Sequence, residues 1–432
     1  MSLLQRAVLP LCAMVFLSPV YTHAASTFMP DFASAEHVFF GDKVKLPTTN
    51  PGQPFIKLHL PNGLNLTYGE ILSFGDFYGV VDYPISQGKT EQERRDRFIA
   101  AFNSFSETPT IISEATQILA VIHDEQKMVE EALKKGEPTE ELYKKLGHDN
   151  DIKFNCITGG YCDPKTWFLP PWGRYLSLAN DDFDHFGENA WVTYKTGHEL
   201  ALEQAVLAHE THDLKKLELA YALNAFACHF LSDRFASGHI RTPRQELTDH
   251  VTPGTIGSLL ASFMHEEENF NGLRVHNVRG DQWIAYGDKS YFNPKNNKHK
   301  DLLEETLQAS ANQIFAAFQQ GTTQIYDNIY TLIPQPDEIE NTGKLDISPL
   351  FYWDSKSSQL MLRNDTTNLY DRHWTSAWWG WSTLIKLQSE RGGLSEKTQA
   401  TLALAGLGEQ ALQNGLITNK EIATYIKKKH SA

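Results

Sequence analysis

Cysteine is scarce in this sequence, with four in 432 residues, too few for a dense disulfide framework in a chain of this length. Long apolar runs are lacking as well. Beyond the first twenty residues no stretch approaches the roughly 20 apolar residues a membrane span requires, so no transmembrane anchoring is expected. Positive charge is in deficit, with 39 Lys and Arg against 53 Asp and Glu and a formal net charge of −14. Such a chain gains little from nonspecific attraction to nucleic acid or to an anionic membrane. No nucleic-acid partner is expected, and zwitterionic or neutral-faced substrates fit better. No internal repeat or low-complexity tract interrupts the chain.

Residues 1–24 read as a secretory leader: Arg6 is the only charge, an apolar run extends from Ala7 to Val20, and Thr22-His23-Ala24 offers a small residue for cleavage. The expected mature chain begins near Ala25, is exported to the periplasm or the exterior, and is one charge more negative without Arg6. Cys12 leaves with the leader. Cys156 and Cys162 flank Ile-Thr-Gly-Gly-Tyr, a short loop that a disulfide can close in an oxidising compartment. Cys228, inside an apolar helical pattern, reads as a buried free thiol.

Three domains are expected: the leader, a catalytic domain over 25–335 and a C-terminal helical region over 345–432. Residues 25–54 look extended. Phe55 to Tyr68 alternates around Pro61-Asn62-Gly63 and predicts a small hairpin, and a second is expected near Arg279-Gly280-Asp281. Apolar residues spaced by three and four predict helices over 91–105, 110–136, 139–147, 196–212, 214–235, 254–266 and 301–331. The clearest stripe is Leu219, Leu223, Phe226 and Phe230. Alternating Glu and Lys between Glu130 and Lys145 is a solvated helical face. Pro334 and Pro336 are expected to close the long helix, followed by a polar linker to Lys344. The cluster Trp374, Trp378, Trp379 and Trp381 reads as packing before lipid contact. The fold class is thus all-α, a multi-helix catalytic domain with small β-hairpins.

The segment His229-Phe-Leu-Ser-Asp-Arg-Phe-Ala-Ser-Gly-His239 carries the most chemistry. His229 and Asp233 stand one helical turn apart on the same face, so an imidazole and a carboxylate can reach one ion or two neighbouring ones. Gly238 lets the chain turn and bring His239 back toward them. Further ligand candidates are His185 in Asp184-His-Phe-Gly-Glu-Asn189, His265 in His-Glu-Glu-Glu-Asn269, Asp76 in Phe74-Gly-Asp-Phe-Tyr-Gly79, and His37. His59, His198, His209 and His212 read as exposed or core histidines.

This pattern resembles the zinc-dependent phospholipase C superfamily, which includes fungal single-strand nucleases. The His-x3-Asp-x5-His core of that family is matched by His229, Asp233 and His239 without a gap. His185-Phe186 stands 44 residues before His229, near the family's earlier His, and His265 supplies the later one. The wording from His229 to Arg244 is most similar to secreted phospholipases C of Gram-negative bacteria, over roughly residues 37–290. The resemblance implies a first zinc held by Asp76, His185, His229 and Asp233. A second would take His239, His265 and a carboxylate from Glu266 to Glu268, and a third would share Asp233 and take His37. There are departures. Asn269 occupies the family's position four after its His, which makes Glu268 the substitute; about a hundred residues separate Asp76 from His185; and no Trp lies near Ala25.

Two or three zinc ions so held imply a phospholipase C cleaving the glycerol–phosphate bond of phosphatidylcholine-type lipids, with Asp76 orienting or deprotonating the attacking water. Tyr161, Trp167, Phe168 and Trp172 are candidates to face a quaternary ammonium. The alternatives are a nuclease or phosphomonoesterase on the same framework, and a lipid-binding protein with a structural metal.

Overall fold

The computed structural model describes residues 34–391 apart from 50–51, 165–166, 168–170, 182, 325–328 and 338–345. The leader, Phe168, the expected linker and everything beyond 391 lie outside the described residues. Helices carry most of the rest: α1 (Ser34–Gly41), α2 (Tyr68–Ser73), α3 (Glu91–Ser106), α4 (Ile112–Lys135), α5 (Thr139–Ile157), α6 (Arg174–Asp181), α7 (Gly187–Thr211), α8 (Leu214–Asp233), α9 (Ser237–Ile240), α10 (Arg244–His250), α11 (Gly254–Asn271), α12 (Asn297–Gln320) and α13 (Gly380–Glu390). Two hairpins sit where the turns were expected. β1 (Leu58–His59) pairs with β2 (Asn65–Leu66), and β3 (Leu273–His276) pairs with β4 (Gln282–Ala285), with β5 (Gln335–Pro336) along its other edge. The fold is mostly helical with small antiparallel sheets.

The core is organised around α8. Its N-terminus is capped by Asp213, whose carboxylate accepts from the Lys215 N–H at 2.9 Å. Every residue from Ala220 to Asp233 is buried, so the apolar stripe read from the sequence is one side of a helix enclosed all round by α2, α7 and α12. Small residues at Ala220, Ala222, Ala225 and Ala227 let those neighbours approach. A buried polar network crosses the same core: Tyr68 Oη donates to Asn224 Oδ1 at 2.7 Å, Asn224 Nδ2 lies 3.0 Å from His198 Nδ1, and His198 Nε2 lies 2.8 Å from Gln313 Oε1. Cys228 is the expected buried free thiol, its pKa pushed up to about 11 by burial. Cys156 and Cys162 are joined.

Several boundaries differ from expectation, each for a tertiary reason. Residues 34–41 are helical, not extended: this short helix is held by packing on α2 and α4, which outweighs weak local propensity. The helix expected to end at 266 continues to Asn271, because the polar run after Met264 finds partners inside the protein instead of solvent. The long helix spans 297–320 and stops at Gly321, well before Pro334. Other helices extend further, α5 to residue 157 and α7 back to residue 187.

The C-terminal region is also different in kind. Its described part is an antiparallel sheet, β6 (Phe351–Asp354), β7 (Gln359–Arg363) and β8 (Trp374–Thr375), followed by α13. Leu360 and Leu362 point inward from β7 at the period of two that a strand imposes. With Phe351 and Leu384 they join Leu247, Leu260 and Met264 of α10 and α11 in a second apolar cluster. Arg363, fully buried, grips Glu267 of α11 through both terminal nitrogens, at 2.8 and 2.9 Å. Trp374 and Trp378 donate to the carbonyls of Pro349 and Leu360, both at 3.0 Å, which is the packing role expected of them. Trp379 stays exposed.

Candidate metal centre

Five of the ligand candidates meet around the C-terminal end of α8. His229 and Asp233 project from one face of that helix, and Asp233 Oδ2 lies 3.3 Å from His229 Nε2 and 2.7 Å from His185 Nδ1. His185 comes from the loop before α7, and its Nδ1 is 3.0 Å from His229 Nε2. Asp76 ends a single 3-10 turn, Phe74–Asp76, with Oδ1 3.5 Å from His229 Nε2 and Oδ2 accepting from Ser34 Oγ at 2.8 Å. That approach requires Gly75, since a Cβ there would stand 2.1 Å from His229 Cγ. His37 arrives on α1, its ring centroid 4.5 Å from that of His229 and its Nε2 3.8 Å from Asp233 Oδ1.

A second group adjoins the first. His239 on α9 and His265 on α11 have ring centroids 4.7 Å apart. Their carboxylate is Asp288, whose Oδ2 lies 3.6 Å from His239 Nε2 and 3.1 Å from His265 Nε2. Glu268 is not the third member. At i+3 from His265 it turns to Arg241, accepting from Nε at 2.7 Å, while Glu267 turns to Arg363 and Arg391, and Glu266 meets His265 only at Nδ1, 3.2 Å away. Asn269, one full turn on, holds the group together. Its Nδ2 donates to Asp288 Oδ2 at 3.0 Å and its Oδ1 accepts from the Gly238 N–H at 2.6 Å. Phe186 stacks on His239, centroids 4.6 Å apart and planes 4° from parallel. His239 Nδ1 is 2.9 Å from the His185 carbonyl, which ties the two groups to each other.

Asp288 was missed because its partners come from other helices and nothing in its neighbourhood repeats a ligand spacing. One signal was available. Tyr286-Gly-Asp288 echoes Phe74-Gly-Asp76, and Gly287 serves as Gly75 does, a Cβ there standing 1.5 Å from Asn269 Oδ1. The aromatics considered for substrate contact are elsewhere: Trp167 is buried beside His148, Trp172 packs on the main core and Tyr161 is exposed. The rings against the ligand imidazoles are Phe40, Phe186 and Phe230.

Burial governs the electrostatics. It lowers the pKa of His37 and, much further, that of His229, so these imidazoles are neutral with lone pairs to offer. Burial also raises Asp76, to about 8, with the negative charge of Asp233 adding to it. Burial acts upward on Asp233 and Asp288 too, but the imidazoles beside them outweigh it and hold both carboxyls below their ordinary range. At His265 burial pulls down while hydrogen bonds to Asp288 and Glu266 carry the value up to about 9.

The donor set fits a divalent metal. Asp76 Oδ1 and His239 Nε2, which face the other ligand candidates, are buried without a hydrogen-bond partner, a costly arrangement for a polar atom that no cation satisfies. His37, His239 and His265 are each anchored at Nδ1, by Ser232 Oγ, the His185 carbonyl and Glu266, leaving Nε2 to face the carboxylates. That is the orientation of ligating histidines, whose second nitrogen is fixed by an outer partner. Among the described residues three sets have the reach to hold an ion: His37 with His229 and Asp233, Asp76 with His185 and His229, which share His229, and separately His239 with His265 and Asp288. A narrow cavity of about 20 Å³ reaches His185, His239 and His265 past Leu178 and Ser262.

Compared with family models, with curated proteins and with solved structures, the chain matches none. No helix among the described residues is long and apolar enough to cross a membrane.

Proposed function

We propose that the chain is a zinc-dependent phospholipase C, hydrolysing the glycerol–phosphate bond of glycerophospholipids of the phosphatidylcholine type to diacylglycerol and phosphorylated headgroup. The observation that carries this reading is the convergence of imidazoles and carboxylates from widely separated segments into adjoining buried groups joined by His185. Nitrogen and oxygen donors without a thiolate favour zinc, in two or three ions. Zinc held there supplies an acidified water and neutralises charge on phosphoryl oxygens. His37, Asp76, His185, His229 and Asp233 are the proposed ligands of the first group, and His239, His265 and Asp288 those of the second.

The chain's own residues supply position. Ser34 fixes one oxygen of Asp76 and directs the other toward His229, which suits Asp76 to hold the metal and to orient the attacking water beside it. Asn269 sets the distance between Gly238 of α9 and Asp288. Export is part of the same proposal, and the Cys156–Cys162 bridge supports an oxidising compartment.

Purified full-length protein is given phosphatidylcholine, phosphatidylglycerol, single-stranded DNA and a simple phosphomonoester, with chelator and with zinc restored. Release of phosphocholine and diacylglycerol that disappears with chelator and returns with zinc is the expected result. Turnover of DNA or the monoester alone would replace phospholipase C with the other chemistry of such a framework, and inactivity on all four with zinc bound would leave a structural metal.

A further inference from the structure

We infer that the C-terminal sheet carries a binding site for a neutral hexopyranoside, separate from the metal groups and independent of the phospholipase reading. A cleft of about 370 Å³ opens between the α10–α11 junction and the start of α13, a volume within the range of small-molecule sites. Its aromatic wall is Trp353, Trp378 and Trp379. Trp353 is covered on one face by His250, with centroids 4.6 Å apart, and Trp378 is tied to Leu360 and tilted on Phe351. Trp379 differs from both. It is 40% exposed and lines the cleft, and its indole has no hydrogen-bond or ring partner among the described residues.

The polar wall is Thr252, Ser358, Gln359 and Ser376. All four are exposed, and none of these side chains has a hydrogen-bond partner among the described residues. Among the described residues no Asp, Glu, Lys or Arg lines the cleft. A quaternary ammonium would find no carboxylate among them, and a phosphate would find one basic side chain, His250, whose ring is stacked on Trp353. A pyranose ring matches both walls: its C–H face lies on an indole, while its hydroxyls give and accept hydrogen bonds with neutral hydroxyls and an amide.

The test uses the full chain and three probes, the methyl glycosides of glucose, galactose and mannose, followed by tryptophan fluorescence and saturation-transfer NMR. Tetramethylammonium and phosphocholine serve as comparison ligands. At least one glycoside is expected to bind saturably, and roughly tenfold more weakly to Trp379→Ala and to Gln359→Ala, with circular dichroism and metal content unchanged in both variants. Absence of saturable binding for all three glycosides would overturn the inference. So would equal binding by wild type and Trp379→Ala, or saturation by tetramethylammonium or phosphocholine alone.

Discussion

Replacing Gly75 by alanine perturbs the metal centre without touching a ligand. The added Cβ would lie 2.1 Å from His229 Cγ, 2.2 Å from Cδ2 and 2.8 Å from its Cβ, whereas carbon atoms settle at about 3.5 Å or more. One side has to retreat by more than an ångström. His229 has little freedom to do so, because it is fully buried on a helix enclosed on all sides. The 3-10 turn bearing Asp76 therefore moves, or the imidazole leaves its rotamer. Overpacking of this kind costs about 1–3 kcal/mol, enough to lower the melting temperature by a few degrees while the chain still folds. Ligand distances tolerate only about 0.2 Å, so the first group is expected to lose at least one ion while His239, His265 and Asp288 keep theirs. Turnover should fall about a hundredfold or more. Gly79→Ala is the control, since its Cβ would meet only the flexible tip of Leu178 at 3.1 Å. Elemental analysis beside calorimetry decides: a Gly75→Ala protein with full metal, wild-type turnover and an unchanged melting temperature refutes the packing of Asp76 on His229.

Three further outcomes are expected. Asp288→Asn should lose about one metal equivalent and Glu268→Gln none, and the reverse pattern by elemental analysis would restore Glu268 as the ligand. Asp233→Asn should lose metal from the first group and nearly all turnover, since its carboxylate faces His37, His185 and His229; normal phosphocholine release would remove it from the site. Acid should destabilise the core through His198, whose pKa burial depresses from 6.5 to about 4. The unfolded chain binds the extra proton between those values, so this stability is complete above about pH 6.5 and is lost as pH falls toward 4, up to about 3 kcal/mol. Urea unfolding at pH 7 and pH 5 should show a smaller difference in His198→Gln than in wild type, and an identical difference would clear His198.

Local chemistry was legible in the sequence, and long-range choices among like residues were not. The spacing of His229 and Asp233 is a one-helix property, so periodicity sufficed to bring those two together. Gly238 does not end that helix, which stops at Asp233, but lies inside α9 without a left-handed conformation, and His239 joins His265 and Asp288 instead. The turns at Asn62-Gly63 and Arg279-Gly280 were equally local. His37 was found as a residue but not as part of a helix, because α1 is stabilised by its neighbours and not by its own eight residues. Choosing among Glu266, Glu267, Glu268 and Asp288 required knowing where Arg241 and Arg363 lie, since those cations claim Glu268 and Glu267. The C-terminal sheet was overlooked for a related reason. Its short strands alternate over too few residues to outweigh a tryptophan cluster that also suits a helix.

The most direct measurement counts metal in the purified full-length chain after saturation with zinc and removal of excess. Two or three tightly held equivalents per chain are expected, with competition by chelator and a lower count in Asp233→Asn. A folded chain that retains no zinc and shows no change in its histidine NMR signals on zinc addition would contradict the metal centre.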